Sequence, residues 1–212
     1  MYVPPHFAEA RLPVLQDFIA HHPFATLVTL NGGALVANHL PLLYDPAPAP
    51  HGKLIGHLAR ANNQWRNPDA GLEALAIFSG PQAYVSPSWY VTKAETGKVV
   101  PTWNYAAVHA YGALRIIEDT AWLRDLVGRL TERHEAGRAQ PWKVEDAPDS
   151  FVQAQLKGIV GVELTVSRFE GKWKLSQNRP VPDRIGTERG LKETGDPAGA
   201  AVAAMMAEAR GS

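Results

Sequence analysis

The stretch FATLVTLNGGALVANHLPLLY, from Phe24 to Tyr44, limits the fold more than any other part of the chain. It holds two β-rich runs, FATLVTL and ALVANHLPLLY, separated only by Asn31, Gly32 and Gly33. Those three residues accept the positive φ of a tight hairpin turn, so the first two strands are expected to pair antiparallel. The rhythm continues in KLIGHLA, LEALAIFSG, QAYVS and YAAVHAYGALRIIED, with DPAPAPHG (Asp45 to Gly52) as a Pro-rich surface loop. Short sequential connections favour an antiparallel barrel over a doubly wound parallel sheet.

Helical periodicity appears around this series. Leu12, Leu15, Phe18 and Ile19 recur at helical spacing before Pro23, which predicts a short helix ahead of the sheet. In DTAWLRDLVGRLTERHE, Asp119 is a capping candidate, and Trp122, Leu123, Leu126, Val127 and Leu130 form the apolar stripe of a helix lying across the barrel. PDSFVQAQLKGIVGVELTVSRFEGKWKLSQN reads as a short helix, a strand from about Ile159 to Phe169, and a basic polar segment. The Ala-rich DPAGAAVAAMMAEA predicts a last helix capped by Asp196. A chain of 212 residues can bury a substantial core, and one domain over residues 1–212 is expected, with a helical N-terminal segment and a helical C-terminal extension.

Charge and composition exclude several function classes. Lys+Arg and Asp+Glu both number 21, so no global field draws the molecule to nucleic acid or to an acidic membrane, and any anion site must be local. With no Cys there is no disulfide, Fe–S cluster or thiolate zinc site, and redox chemistry has to come from a bound cofactor. The N-terminus lacks the pattern of a signal peptide, and no stretch approaches the roughly 20 apolar residues of a membrane span. The expectation is a cytoplasmic protein with no membrane partner.

Three polar constellations stand out. GHLARANNQW offers His57, Arg60, Asn62, Asn63 and Gln64 where a strand ends and a helix could begin, a place suited to phosphate. Its bland reading is a solvated Arg and an Asn-rich turn. SPSWYVTKAETGKVVPTWNY gathers Trp89, Tyr90, Trp103 and Tyr105 with Lys93, Lys98, Thr102 and Asn104. Aromatic residues ordinarily mean core, but beside Lys, Thr and Asn they fit a half-open groove for a planar ligand. GKWKLSQNR packs Lys172, Lys174, Ser176, Gln177, Asn178 and Arg179, either as a basic exit loop or as polar groups on a pocket rim. His39 and His109 sit in strand patterns and read as structural; no HExxH pattern or His/carboxylate cluster indicates a metal. No GxSxG elbow or triad spacing points to a hydrolase.

Taken in order, MYVPPHF, ATLVT, HLPLL, GHLARANNQW, IFSGPQAYVSPSWY, VVPTWNYAAVH, LTERHE, IVGVEL and KWKLSQNR give the chain its family character. From Met1 to about Arg179 it resembles the FMN-binding negative transcriptional regulators, the PaiB-like proteins. Asn63 and Gln82 stand where that family often has Pro and His. The resemblance implies a β-rich mixed fold, an antiparallel FMN-binding split β-barrel with peripheral helices, related in architecture to pyridoxamine-phosphate oxidases. It also implies FMN as cofactor and a homodimer with flavin sites near the interface. On that basis Arg60 is the expected phosphate cation, with His57 and Asn62 as hydrogen-bonding partners. The backbone near Asn38, His39 and Leu40 is expected along the isoalloxazine, with Trp103 and Tyr105 as further contacts. Lys174, Ser176 and Gln177 are expected to complete the site, from the same or the other protomer.

The function this implies is flavin-linked negative regulation of transcription, with DNA a candidate partner. The neutral charge and the lack of a recognisable helix-turn-helix, zinc finger or basic helix weigh against direct DNA binding. The alternatives are a flavin-dependent oxidoreductase using FMN N5 for hydride or electron transfer, and a haem- or small-ligand-binding split barrel.

Overall fold

A computed structural model describes residues 1–66, 68, 69 and 71–211. In chain order the elements are β1 (Ala8–Glu9), α1 (Leu12–His21), β2 (Phe24–Asn31), β3 (Ala34–Pro41), β4 (Leu43–Asp45), β5 (Lys53–Ala59) and β6 (Ala74–Val85). They continue with α2 (Val91–Thr96), β7 (Thr102–Ile117), α3 (Thr120–Glu135), α4 (Asp149–Leu156), β8 (Ile159–Lys174), α5 (Val181–Glu193) and α6 (Pro197–Gly211). The strands form one sheet in the order β3-β2-β6-β7-β8-β5-β4, with β1 paired to β8. The β2–β3, β2–β6, β4–β5, β5–β8 and β1–β8 pairings are all antiparallel. The β-rich antiparallel architecture with peripheral helices is the one the sequence predicts. The chain divides into two compact units, one of residues 19–78 and 110–169, the other of residues 1–18, 79–109 and 170–212.

In the first unit the hairpin turns where the sequence places it. Gly32 and Gly33 take φ values of +60° and +79°, the left-handed pair that a two-residue hairpin loop needs. Their N–H groups donate to the Asp69 carboxylate at 2.7 and 3.0 Å. Leu126 and Leu130 of α3 pack with Leu43 and Ile55, while Leu123 packs with Val144, Val152 and Leu156 under α4. The Asp119 carboxylate accepts the Trp122 N–H at 2.7 Å, so this helix has the expected cap. Glu163, nearly buried, lies 3.0 Å from Lys53 and 2.9 Å from Arg115, which neutralises a carboxylate that burial alone would penalise.

The second unit is built around the C-terminal helices. Leu175, Leu191, Val202, Ala203 and Met206 form a buried cluster with Ala83, flanked by Trp89 and Trp173. Helix α5 departs from the sequence reading, which placed no element over these residues. Its buried positions are Asp183, Gly186, Thr187, Glu188, Gly190 and Leu191, which give no apolar stripe to read. Gly190 is there because Trp89 lies on it: a Cβ would stand 2.3 Å from the indole. Asp183, fully buried, accepts from the Thr92 N–H at 3.0 Å and the Thr92 hydroxyl at 2.6 Å, tying α5 to the start of α2. Strand β8 also runs five residues past the expected end at Phe169, to Lys174. No helix among the described residues is long and apolar enough to cross a membrane.

Candidate functional site

The extra length of β8 decides where its basic residues point. Strand side chains alternate between faces, so Lys172 and Lys174 share one face, while Trp173 turns the other way onto Phe18 with ring centroids 4.9 Å apart. After Leu175 the chain reverses at Ser176, whose φ of +64° is the one left-handed non-glycine value among the described residues. Gln177 holds the reversal: its Oε1 accepts from Leu175 N–H at 2.8 Å, and its Nε2 donates to Trp173 O at 2.6 Å. Arg179 N–H then donates to Ser176 O at 2.9 Å, closing a turn that carries Asn178 and Arg179.

Facing this turn is the start of β7. The Lys174 ammonium donates to the Thr102 hydroxyl and to the Trp103 carbonyl. Asn104, fully buried, exchanges hydrogen bonds of 3.0 and 3.1 Å with the Ser176 hydroxyl. Together Thr102, Asn104, Lys174, Ser176, Asn178 and Arg179 line a cleft of about 150 Å³, whose apolar wall includes Phe7 and Val100. Trp103 is 52% exposed and meets Tyr84 edge to face at 6.3 Å.

The cleft is electropositive. Lys174 is held below its ordinary pKa, first by burial and then by the charges of Lys172 and Arg179. Lys172 donates to Tyr2 O at 3.0 Å and lies 5.4 Å from the Tyr105 ring centroid; Arg179 stacks on the Tyr90 ring at 4.7 Å. Neutral acceptors and aromatic faces stabilise these cations without cancelling their charge. None of the three has a carboxylate within ion-pair distance among the described residues. Such a cluster fits a dianion such as a phosphate monoester.

The other expected site residues lie in the unit of residues 19–78 and 110–169. Arg60 pairs with Glu118 at 2.5 Å and donates to the carbonyls of Lys157 and Ile159 at 2.9 and 3.2 Å. Asn62 accepts from Gln64 N–H at 2.9 Å and caps a single 3-10 turn, Asn63–Trp65. His57 is half-buried, its pKa lowered by burial, and its Nδ1 has no hydrogen-bond partner. The Asn38 amide donates to Gln64 Oε1 at 2.8 Å, His39 Nδ1 lies 2.9 Å from the Thr26 hydroxyl, and Leu40 is buried.

Residues 1–168 match a protein family described as "Putative FMN-binding domain". The chain belongs to this FMN-binding family. Its cofactor is FMN. It is 34% identical to "Protease synthase and sporulation protein PAI 2" of Bacillus subtilis, over 97% of this chain and 96% of that protein. Two solved structures share its fold at low identity. One is the FAD and heme binding protein of Mycobacterium smegmatis, with a TM-score of 0.58 and 15% identity over 84% of this chain and 78% of that one. The other is the flavocytochrome Anf3 of Azotobacter vinelandii, with a TM-score of 0.58 and 11% identity over 81% of this chain and 72% of that one. The fold is the split β-barrel of flavin-binding proteins.

For an FMN-binding chain, the dianionic end of the cofactor fits the chemistry of the Lys174 cleft. FMN supplies hydride or electron transfer when bound; the cations supply a counter-charge fixed before it arrives. The sequence reading chose Lys174, Ser176 and Gln177 here, and the structure gives the last two structural hydrogen bonds. Thr102, Asn178 and Arg179 were left off the expected set. They are brought there by the Lys174–Thr102 contact and by the Ser176 turn, neither of which leaves a spacing in the sequence.

Proposed function

We propose that this chain is a flavin-linked negative regulator of transcription, acting as a homodimer, with FMN held through its phosphate by Lys174 and Arg179. The observation carrying the site is the unneutralised basic cluster Lys172, Lys174 and Arg179 in a chain whose cofactor is FMN. The regulatory role is supported by the order of motifs shared with the negative regulators and by a relative named for protease synthesis and sporulation, aligned along 97% of the chain. Arg60, with His57 and Asn62, is the second candidate for the phosphate; its donors already serve Glu118 and two carbonyls.

The homodimer has two supports. A cleft of about 150 Å³ accepts a phosphate and part of a ribityl chain, whereas small-molecule sites that enclose their ligand run from roughly 300 Å³ upward, so the ring needs a further wall. One face of the β2–β3 hairpin, moreover, is largely apolar and left partly or wholly exposed. Phe24, Val28 and Leu30 share that face with Pro41, Ala37 and Leu35, interrupted by the hydrogen-bonded Thr26–His39 pair, and Leu75 and Ile77 of β6 extend it. A solvated sheet face is ordinarily polar, and one on which six apolar side chains flank a single polar pair is suited to an interaction surface. A second copy of this chain is the occupant proposed.

A flavin oxidoreductase is the second reading, favoured by the open ring surface of Trp103 and Tyr84. Oxidised and reduced protein, titrated against upstream DNA fragments over a range of salt, separates the two. A regulator gives a sequence-dependent component, sensitive to the flavin's redox state, above the salt-dependent phosphate attraction. Turnover with an electron donor, and DNA binding indifferent to sequence and redox state, overturns the regulatory reading in favour of the enzyme. A Soret band in the purified protein indicates haem instead.

A further inference from the structure

Beneath the basic turn, the C-terminal helix reaches the same buried amide that holds Ser176. Met206 of α6 is fully buried, and its Sδ lies 3.3 Å from Asn104 Nδ2. The other hydrogen bonds of that amide go to the Ser176 hydroxyl. The amide nitrogen has two protons, and each has a partner: one the hydroxyl, the other the thioether, a weak acceptor in a place no water reaches.

Ser176 needs this support. An L residue at φ +64° crowds its Cβ against the following carbonyl, and a serine there persists only when its surroundings determine it. The buried Asn104 amide provides that determination. From the left-handed Ser176 hangs the turn that brings Asn178 and Arg179 into the cleft, closed by Arg179 N–H to Ser176 O. A path of direct contacts therefore runs from α6 through Met206, Asn104 and Ser176 to Arg179.

We infer that Asn104 and Met206 are positioning residues for the anion cleft, the thioether of α6 holding the Asn104 amide that keeps the Ser176–Arg179 turn in its binding shape. The inference rests on reading the cleft as the FMN phosphate site. Met206 lies behind the cleft wall, Asn104 lines it beside Ser176 with its side chain fully buried, and both act through Ser176. Their effect falls on the part of the cofactor that the turn touches, the phosphate, and so distinguishes FMN from riboflavin.

The test uses the full-length apo-protein, titrated by flavin fluorescence with FMN and with riboflavin. Met206→Leu conserves volume and removes the acceptor, leaving one amide proton unpaired in the core. Asn104→Leu removes the amide. Each is expected to weaken FMN by about three- to tenfold, the range of one net hydrogen bond, with riboflavin affinity unchanged. Ser176→Gly, added to Asn104→Leu, supplies the left-handed backbone without any side-chain clamp and returns FMN affinity to within about twofold of wild type. Lys174→Ala and Arg179→Ala run in parallel. If these two weaken FMN selectively while Met206→Leu leaves it unchanged, the positioning role is overturned and the site reading stands. If Lys174→Ala and Arg179→Ala affect both flavins alike, the phosphate lies elsewhere and both fall. Equal losses for the two flavins in Met206→Leu and Asn104→Leu, not rescued by Ser176→Gly, show a general packing role and also overturn the inference.

Discussion

Arg60 Nη1 lies 2.5 Å from Glu118 Oε2, and the rest of its guanidinium serves the carbonyls of Lys157 and Ile159. This joins the end of β5 to the start of β8 and to the turn before α3. An arginine so engaged has to give up existing partners to meet a phosphate, whereas Lys174 has only neutral ones. Lys174→Ala is therefore expected to lower FMN affinity about ten- to a hundredfold, the worth of a charged hydrogen bond, with little change for riboflavin. Arg60→Ala is expected to shift both flavins equally and slightly, since exposed ion pairs contribute about 0–1 kcal/mol. Selective loss of FMN in Arg60→Ala, with Lys174→Ala unaffected, reverses the two assignments.

The pKa of Lys174 gives the same site a pH signature. In the free protein burial, Lys172 and Arg179 all disfavour its ammonium, so its pKa lies below the ordinary 10.5. A bound phosphate dianion favours the ammonium and raises that pKa again. Binding then takes up a proton once the pH reaches the lowered value, and FMN affinity falls as pH rises through it toward 10.5. Calorimetry in two alkaline buffers of different ionisation enthalpy measures the uptake, which Lys174→Met abolishes. Proton uptake that persists in Lys174→Met assigns the signature to another group.

What the sequence reveals of this protein is its local chemistry. Gly32 and Gly33 announce a turn because few other residues accept their φ, and Asp119 announces a cap because a carboxylate there meets the Trp122 N–H. Helix α5 is hidden because a helix that buries Gly186 and Gly190 against the backbone and indole of Trp89, with Thr187 buried beside them, has no apolar period. The basic site is half legible. Lys174, Ser176 and Gln177 are named by the family resemblance rather than by composition, while the role of Asn104 depends on Ser176, 72 residues away, and that of Arg60 on Glu118, 58 residues away. Partners so distant leave no spacing to read.

Gln64 shows how a motif that resembles a ligand cradle serves the barrel instead. Its side chain is buried; Nε2 donates to Leu27 O at 2.9 Å and to Thr29 Oγ1 and Val36 O at 3.2 Å, and Oε1 accepts from Asn38. One amide thus pins both strands of the β2–β3 hairpin. Gln64→Leu strands two carbonyls and the Asn38 amide, and is expected to cost about 2–4 kcal/mol in urea unfolding of the apo-protein. A loss below about 0.5 kcal/mol, the level of an ordinary surface substitution, refutes the assignment.

His57 makes the fold sensitive to acid. Burial holds its pKa below the ordinary 6.5, so the folded state keeps it neutral where the unfolded chain already binds a proton. More protons on the unfolded side mean that stability rises with pH, and so it is lost as pH falls from about 6.5 toward the folded value. Replacing His57 with Leu removes this part of the slope. Melting temperatures of wild type and His57→Leu, compared between neutral and mildly acidic pH, check it: wild type loses stability relative to His57→Leu as the pH falls if the residue acts this way, and the two curves stay parallel if it does not.

The apolar face of the β2–β3 hairpin gives the assembly its test. Ala37 is exposed at its middle, opposite Val28, so a glutamate there points to solvent in a single chain and leaves the barrel core untouched. In a dimer packed on this face, the same carboxylates are carried into a largely apolar interface, at a cost of several kcal/mol. Wild type is therefore expected to sediment as a dimer at micromolar concentration and Ala37→Glu as a monomer with an unchanged circular dichroism spectrum. A wild-type monomer at these concentrations removes the interface, and one that also binds FMN at full occupancy removes the need for a second protomer at the flavin site. A dimer that survives Ala37→Glu moves the interface to another face.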